Sequence, residues 1–301
     1  MVKSHYLYFL KHNLSARLLG KKRPLLAGFK ITYRCNLKCR TCPFWKKDEI
    51  DIPYEKAIAV MDEFHKLGVR LLIFEGGEPF IWREKKHRFE DLVNYAKKRF
   101  YRVGVTTNGM LPLDSSADVL WVSLDGLKKS HDLNRGKSFD TIIENVVKSS
   151  HSKILANITI TSLNHHEIDD AVKFLNPLVK GITIQFYYPF PNSEDLSLPV
   201  KDRINVLDKI IYLKRKGYKI LDSVRALQDL KYNSWRCHDW LIANAEPNGK
   251  MNVGCYLKGR AAIGCENCGF AAHTEISLAY DWRAGAILSG KKVFDFKILD
   301  F

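Results

Sequence analysis

No apolar run in these 301 residues approaches the roughly 18 to 20 needed to cross a bilayer. No leader with a small-residue cleavage site opens the chain either. A membrane-spanning or exported protein is therefore not expected, and the chain reads as cytoplasmic. Acidic residues are scarce. Lys and Arg number 48 against 33 Asp and Glu, a net charge of +15, and none of the first 23 residues is acidic. Such an excess points to an anionic partner: a lipid headgroup surface, a nucleic acid or a phosphorylated small molecule. An even cysteine count is also missing. The seven cysteines stand at the spacings of metal ligands rather than of a disulfide framework, which implies a reducing compartment. With 46% hydrophobic residues, the chain has material for one large barrel-type domain and a small appendage.

Three cysteines crowd one loop, Cys35-Asn36-Leu37-Lys38-Cys39-Arg40-Thr41-Cys42, just after an apolar run from Leu25 to Ile31. The loop has no fourth Cys or His. Structural zinc wants four protein ligands, whereas a four-iron cluster accepts three thiolates and leaves one iron open. The spacing resembles the signature of the radical SAM superfamily. That resemblance implies a 4Fe-4S cluster on Cys35, Cys39 and Cys42 whose open iron chelates the amino and carboxylate groups of S-adenosylmethionine (SAM).

The rest of the chain alternates strand and helix patterns, as a parallel α/β barrel does. Strands are expected at Ala27–Thr32, Leu71–Phe74, Val103–Thr106, Val119–Ser123, Leu155–Thr161 and Gly181–Tyr187. Helices are expected near Tyr54–Lys66, Phe89–Arg99, Phe139–Ser150, Glu167–Leu175 and Val200–Lys216. The count suits a partial (β/α)6 barrel of TIM-like type better than a closed eightfold one. Ligands gather at the carboxyl ends of such strands, and there the sequence turns polar or glycine-rich. The second strand runs into Glu75-Gly76-Gly77-Glu78-Pro79, the third into Thr107-Asn108-Gly109, and the fourth into Leu124-Asp125-Gly126, with His131, Asp132 and Arg135-Gly136 beyond.

Gly76, Gly77, Glu78 and Pro79 match the family's SAM-cradling turn, and the resemblance places backbone groups there against the SAM amino group. By the same resemblance Ser123 and Asp125 approach the SAM ribose and carboxylate, and Arg135 holds the carboxylate. Asn108, Asn157 and Gln185 complete the expected cofactor-binding set. Asn157 and Gln185 interrupt apolar strands, where a buried amide needs a partner, from a ligand or from the core. Glu75 departs from the family pattern, as a ligand contact or a solvated carboxylate. Tyr187 and Tyr188 line the mouth or pack.

A second metal signal comprises Cys237, Cys255, Cys265 and Cys268, with the turn signal Pro247-Asn248-Gly249 between the first pair. It resembles the twitch domain, the shorter relative of the SPASM domain, and so implies an auxiliary 4Fe-4S cluster on a β-hairpin and helix. Zinc fits four such cysteines equally well by geometry. His238 is a group behind a ligand, a ligand itself, or simply a solvated or core residue.

Residues 1–23 hold six basic side chains, Lys3, Lys11, Arg17, Lys21, Lys22 and Arg23, with Leu7, Leu10, Leu14 and Leu18 at helical spacing. The leucine stripe either caps one end of the barrel or lies on an anionic membrane surface, and Pro24 is expected to end the helix. Three units follow: 1–23, a barrel at 24–220 and the cysteine-rich unit at 221–301. The resemblance implies an enzyme that cleaves SAM reductively and abstracts hydrogen from, or adds to, a peptide, lipid or small-molecule substrate. Ferredoxin or flavodoxin would donate the electron. The alternative is a non-catalytic zinc or iron-sulfur protein whose basic surface binds nucleic acid.

Overall fold

The computed structural model describes residues 5–296. Lys3 of the basic segment, and residues 297–301 of the expected C-terminal unit, lie outside the described residues. The order is α1 (His5–Leu19), β1 (Leu26–Lys30), α2 (Tyr54–Leu67), β2 (Leu71–Glu75), a two-residue hairpin β3 (Arg83–Glu84) and β4 (His87–Arg88), α3 (Phe89–Lys97), β5 (Arg102–Thr107), β6 (Val119–Ser123), α4 (Lys128–Arg135), α5 (Phe139–Lys148), β7 (Ile154–Ile160), α6 (Ile168–Leu175), β8 (Gly181–Phe186), α7 (Val200–Arg215) and α8 (Val224–Leu230). A second hairpin, β9 (Ile242–Ala245) and β10 (Met251–Val253), precedes α9 (Ala271–Tyr280) and α10 (Ala284–Phe294).

The expected α/β partial barrel is present. β1, β2, β5, β6, β7 and β8 pair in parallel in that order, and each is buried on both faces, hence its near-continuous apolar run. The sheet does not stop where the barrel was expected to end. β9 pairs in parallel with β1, Leu26 opposite Ile242, and β10 closes antiparallel on β9. The turn at Pro247-Asn248-Gly249 forms as expected, with Gly249 at φ +82°.

The helices bury one stripe each against the sheet: Phe139, Ile142 and Val146 on α5, and Ile168, Ala171, Val172 and Leu175 on α6. Sequence patterning left α4 and α8 unassigned. α1 ends at Leu19, with Gly20 at φ +66°, four residues before Pro24. The left-handed glycine stops the helix and the proline does not.

The inner face of the barrel is graded. At the amino ends of the strands Val119, Leu155 and Leu221 pack with Trp121 around Val293 and Phe294 of α10. Arg102 Nε donates to the Phe294 carbonyl (2.7 Å) and Lys153 Nζ to that of Lys292 (2.7 Å), so α10 plugs that end. Toward the carboxyl ends the same face turns polar through Ser123, Asn157, Thr159, Thr183 and Gln185, with Ser123 opposite Asn157, Asn157 opposite Thr183 and Thr159 opposite Gln185.

Two carboxylates are buried where α8 and α9 meet β8. Ile184 N–H donates to Asp222 (3.0 Å) and Ser223 N–H to Glu275. Burial pushes Asp222 up to about 7. Burial, then the charge of Asp222, pushes Glu275 up to about 8 from its ordinary 4.5. The folded chain thus holds an extra proton on Glu275 between those values, and stability falls as pH rises from about 5 to about 8. Glu275→Gln cannot ionise. It should melt higher than the parent at pH 8.5, by on the order of 1 kcal/mol or more, with the advantage shrinking toward pH 5; anaerobic calorimetry at both pH values reads the difference.

Candidate metal and cofactor site

The loop carrying Cys35, Cys39 and Cys42 leaves the carboxyl end of β1 and is held by groups other than its thiols. Arg40 N–H donates to the Asn134 carbonyl (2.9 Å) and Thr41 N–H to Asn134 Oδ1 (3.2 Å). Trp45 Nε1 donates to the Cys39 carbonyl (3.0 Å). Asn108 Nδ2 donates to Asn36 Oδ1 (2.7 Å) and approaches Cys35 Sγ at 3.7 Å, while an Arg135 nitrogen lies 3.9 Å from Cys39 Sγ. Burial, reinforced by Glu78 and the neighbouring thiols, pushes Cys35 up to about 11, and burial also raises Cys39. Metal binding here must displace protons, so loading is favoured by higher pH.

The glycine pair at the end of β2 is needed for a close approach within the protein itself. A Cβ on Gly77 would lie 2.0 Å from the Arg34 carbonyl oxygen. The turn is stitched to the entry of the cysteine loop by Gly77 N–H to the Thr32 carbonyl (2.7 Å) and Glu78 N–H to that of Arg34 (2.9 Å). Gly77→Val should therefore dislocate the cysteine loop, lowering iron content and SAM affinity together rather than SAM affinity alone; iron assay and equilibrium dialysis on one preparation check this.

Glu78 is fully buried and turned into the scaffold. Its carboxylate accepts from Thr107 Oγ1 (2.8 Å), Asn108 N–H (2.7 Å) and Phe80 N–H (3.1 Å). Burial pushes it up to about 7 against those donors. Pro79 is buried at the start of a short 3₁₀ turn.

Asp125, at the end of β6, takes Arg135 in a two-point ion pair (Nε to Oδ2 2.5 Å, a terminal nitrogen to Oδ1 3.2 Å). Asn134 Nδ2 (2.7 Å) and Thr159 N–H (3.1 Å) also donate to it. Burial works against the carboxylate, yet Arg135 more than offsets it and holds Asp125 below the usual range. One buried knot thus ties β6, α4, β7 and the cysteine loop together. Ser123 is buried beside it. Asn157 and Gln185 are half-buried, and their amides meet threonines of the neighbouring strand: Thr183 Oγ1 donates to Asn157 Oδ1 (3.0 Å), and Gln185 Nε2 to Thr159 Oγ1 (3.3 Å).

The four C-terminal cysteines lie near enough for their charges to act on one another. Burial pushes Cys237 up to about 12, and the other three thiols press the same way. Residues absent from the sequence reading hold this site. Arg203 of α7, 4% exposed, donates to the Cys268 carbonyl (2.8 Å), and Asn233, with φ +50°, donates to those of Cys265 (3.1 Å) and Glu266 (2.8 Å). Phe186 N–H donates to the Gly269 carbonyl (3.0 Å), and Tyr188 hydroxyl to that of Ala262 (2.8 Å). No local pattern in the sequence marks either residue; the left-handed backbone of Asn233 and the burial of Arg203 arise only in the fold. His238 instead bonds the Asp281 carboxylate (3.1 Å) and packs on Tyr280. Tyr187 packs, with its hydroxyl on Ser193 (2.5 Å).

Glu75 is not a solvated carboxylate. It pairs with buried Lys30 (3.0 Å) and with Arg260 (3.7 Å), and Arg260 in turn pairs with Glu246, which also takes the Tyr33 hydroxyl. This buried network joins the end of β2 to the loop between Cys255 and Cys265. Among the described residues, no three His, Cys, Asp or Glu groups close on one point as ligands of a single ion would. A cluster whose thiolates hold separate irons makes no such demand.

Residues 29–176 match the family model described as the Radical SAM superfamily. Similar curated proteins include the Fe-coproporphyrin III synthase of Methanosarcina barkeri, 28% identical over 56% of this chain and 41% of that protein. Another is the tungsten-containing aldehyde ferredoxin oxidoreductase cofactor-modifying protein of Pyrococcus furiosus, 31% identical over 43% of this chain and 35% of that one. The chain therefore spans about two-fifths of the length of these relatives. In fold it is similar to Streptococcus suis SuiB bound to S-adenosylmethionine, with TM-score 0.65 and 17% identity over 95% of this chain and 72% of that one. The match to the Radical SAM superfamily model runs from the end of β1 through α6 and so contains the three-cysteine loop, the Gly-Gly turn and the Asp125–Arg135 knot.

Proposed function

We propose that the chain is a radical SAM enzyme, with Cys35, Cys39 and Cys42 holding a SAM-binding 4Fe-4S cluster and Cys237, Cys255, Cys265 and Cys268 holding an auxiliary one. The observation that carries this is the convergence of the cysteine loop, the Gly76–Pro79 turn, Asn108 and Arg135 at the carboxyl ends of adjacent parallel strands. The residues fit the group: Asn108 and Arg135 aim N–H donors at the Cys35 and Cys39 sulfurs, as donors beside cluster thiolates do. With SAM bound, the cluster supplies reductive cleavage to methionine and a 5′-deoxyadenosyl radical, which abstracts hydrogen from the substrate or adds to it.

The chain's own residues position and enclose. Arg135, fixed by Asp125, would offer its charge to the SAM carboxylate, and the Gly76–Gly77 backbone would take its amino group. Ser123, Asn157 and Gln185 line the polar half of the barrel interior, while the α10 plug closes the far end against water. The auxiliary site, clamped to β8 and α7, assists oxidation or substrate binding. The substrate is a peptide, lipid or small polar molecule, and the electron donor a ferredoxin or flavodoxin. The working units are 1–23, 24–220 and 221–301, with a peripheral membrane contact through the first. Anaerobically reconstituted protein should be brown, hold about eight irons and release 5′-deoxyadenosine with dithionite. Colourless protein holding stoichiometric zinc and cleaving no SAM would overturn the reading in favour of a structural metal protein.

A further inference from the structure

α1 is apolar on both sides, and only one side is covered by protein. His5, Asn13 and Ala16 are buried. Asn13 Nδ2 donates to the Tyr280 carbonyl (2.7 Å), Arg17 pairs with Asp281 (3.1 Å), and Phe9 packs on Phe296 with ring centroids 5.0 Å apart. Tyr8 hydroxyl donates to the Gly68 carbonyl (2.7 Å). The helix thus runs antiparallel to the 280–296 segment, across the amino ends of the barrel strands. It does cap the barrel, but with this face and not with its leucines. Leu7, Leu10, Leu14 and Leu18, spaced i, i+3, i+7 and i+11, point the other way and are 50%, 42%, 42% and 75% exposed. Leu19 beside them is 65% exposed, and the adjoining segment adds Trp282 at 50% and Leu288 at 56%.

Large aliphatic side chains in such a row mark a contact surface rather than ordinary solvent-facing helix. The charge around them says what covers it. Lys11, Lys21, Lys22 and Arg23 are exposed on or just after α1, and Arg283, Lys291 and Lys292 on the neighbouring segment, while α1 has no acidic residue at all. We infer that this face lies on an anionic lipid surface, leucines in the acyl boundary and lysines at the headgroups. A second copy of the chain is the poorer occupant, since a self-complementary contact would bring the same lysines together. The three-cysteine loop leaves the opposite, carboxyl end of β1, whereas His238, beside Cys237, shares the Asp281 carboxylate with Arg17 of α1. Docking there leaves the mouth open, and the inference does not depend on what the cysteines hold.

The test is cosedimentation of the full chain with vesicles of phosphatidylcholine containing 30% phosphatidylglycerol, and with pure phosphatidylcholine vesicles, at low and high salt. The anionic vesicles should bind it, with binding weakening as salt rises. Leu10→Glu with Leu14→Glu and Leu18→Glu should reduce binding by more than about tenfold, since burial of each leucine contributes substantially. These side chains are outside the core, so melting temperature and metal content should stay at parental values. Lys11→Gln with Lys21→Gln and Lys22→Gln should weaken binding by roughly fivefold per charge, about a hundredfold for the three. No binding of the parent to anionic vesicles would overturn the inference, as would binding at the parental level by both variants. A parental dimer in light scattering that the leucine variant converts to monomer would assign the face to a self-interface instead.

Discussion

Replacing Cys35, Cys39 and Cys42 together by Ala is expected to abolish release of 5′-deoxyadenosine from SAM and to lower the iron content from about eight to about four. The chain should still fold. Its loop is anchored by Arg40 N–H, Thr41 N–H, Trp45 and Asn108, none of which uses a thiol. The C-terminal cysteines keep their own clamp on α7 and β8, so the second group should remain loaded. A folded triple variant that still released 5′-deoxyadenosine with dithionite would remove these cysteines from the chemistry.

Cys265→Ala with Cys268→Ala should give the complementary result. The turn between them is held through the carbonyls of Cys265, Glu266 and Cys268 by Asn233 and Arg203. Losing two thiols should therefore remove the metal without releasing the strap. About four irons should be lost while uncoupled SAM cleavage persists within about twofold of the parent. If the auxiliary site orients the substrate or accepts its electron, product should fall by two orders of magnitude or more. Loss of zinc at constant iron would show that this site holds a single ion. Parallel loss of melting temperature and SAM cleavage would make the site a staple for the small C-terminal unit.

Much of the architecture was legible because its signals are local. Near-continuous apolar strands such as Leu71–Glu75 and one-sided helices such as α6 follow from periodicities of the chain itself. The three-cysteine loop, with its spacing and the missing fourth ligand, is likewise a local feature, and so is the turn at Pro247-Asn248-Gly249. Sequence also placed polar residues after each strand, enough to locate the mouth of the barrel.

What the chain does with several of those residues depends on neighbours far away in sequence. Glu75 is drawn out of solvent by Lys30 and Arg260, which lie 45 and 185 positions away in sequence. Gly77 is glycine because the backbone at Arg34 crosses over it, and Glu78 turns inward because Thr107 and Asn108 offer it donors. Arg203 and Asn233 carry no motif, and only packing sets them on the Cys265–Cys268 turn. The leucine stripe of α1 shows the division most plainly. Spacing alone determined that the leucines share one side of a helix, but not which side meets the protein. Aromatic stacking of His5 and Phe9 and the polar grip of Asn13 and Arg17 on the 280–281 carbonyl and carboxylate decided that, because a helix docks by the face whose buried polar groups find partners.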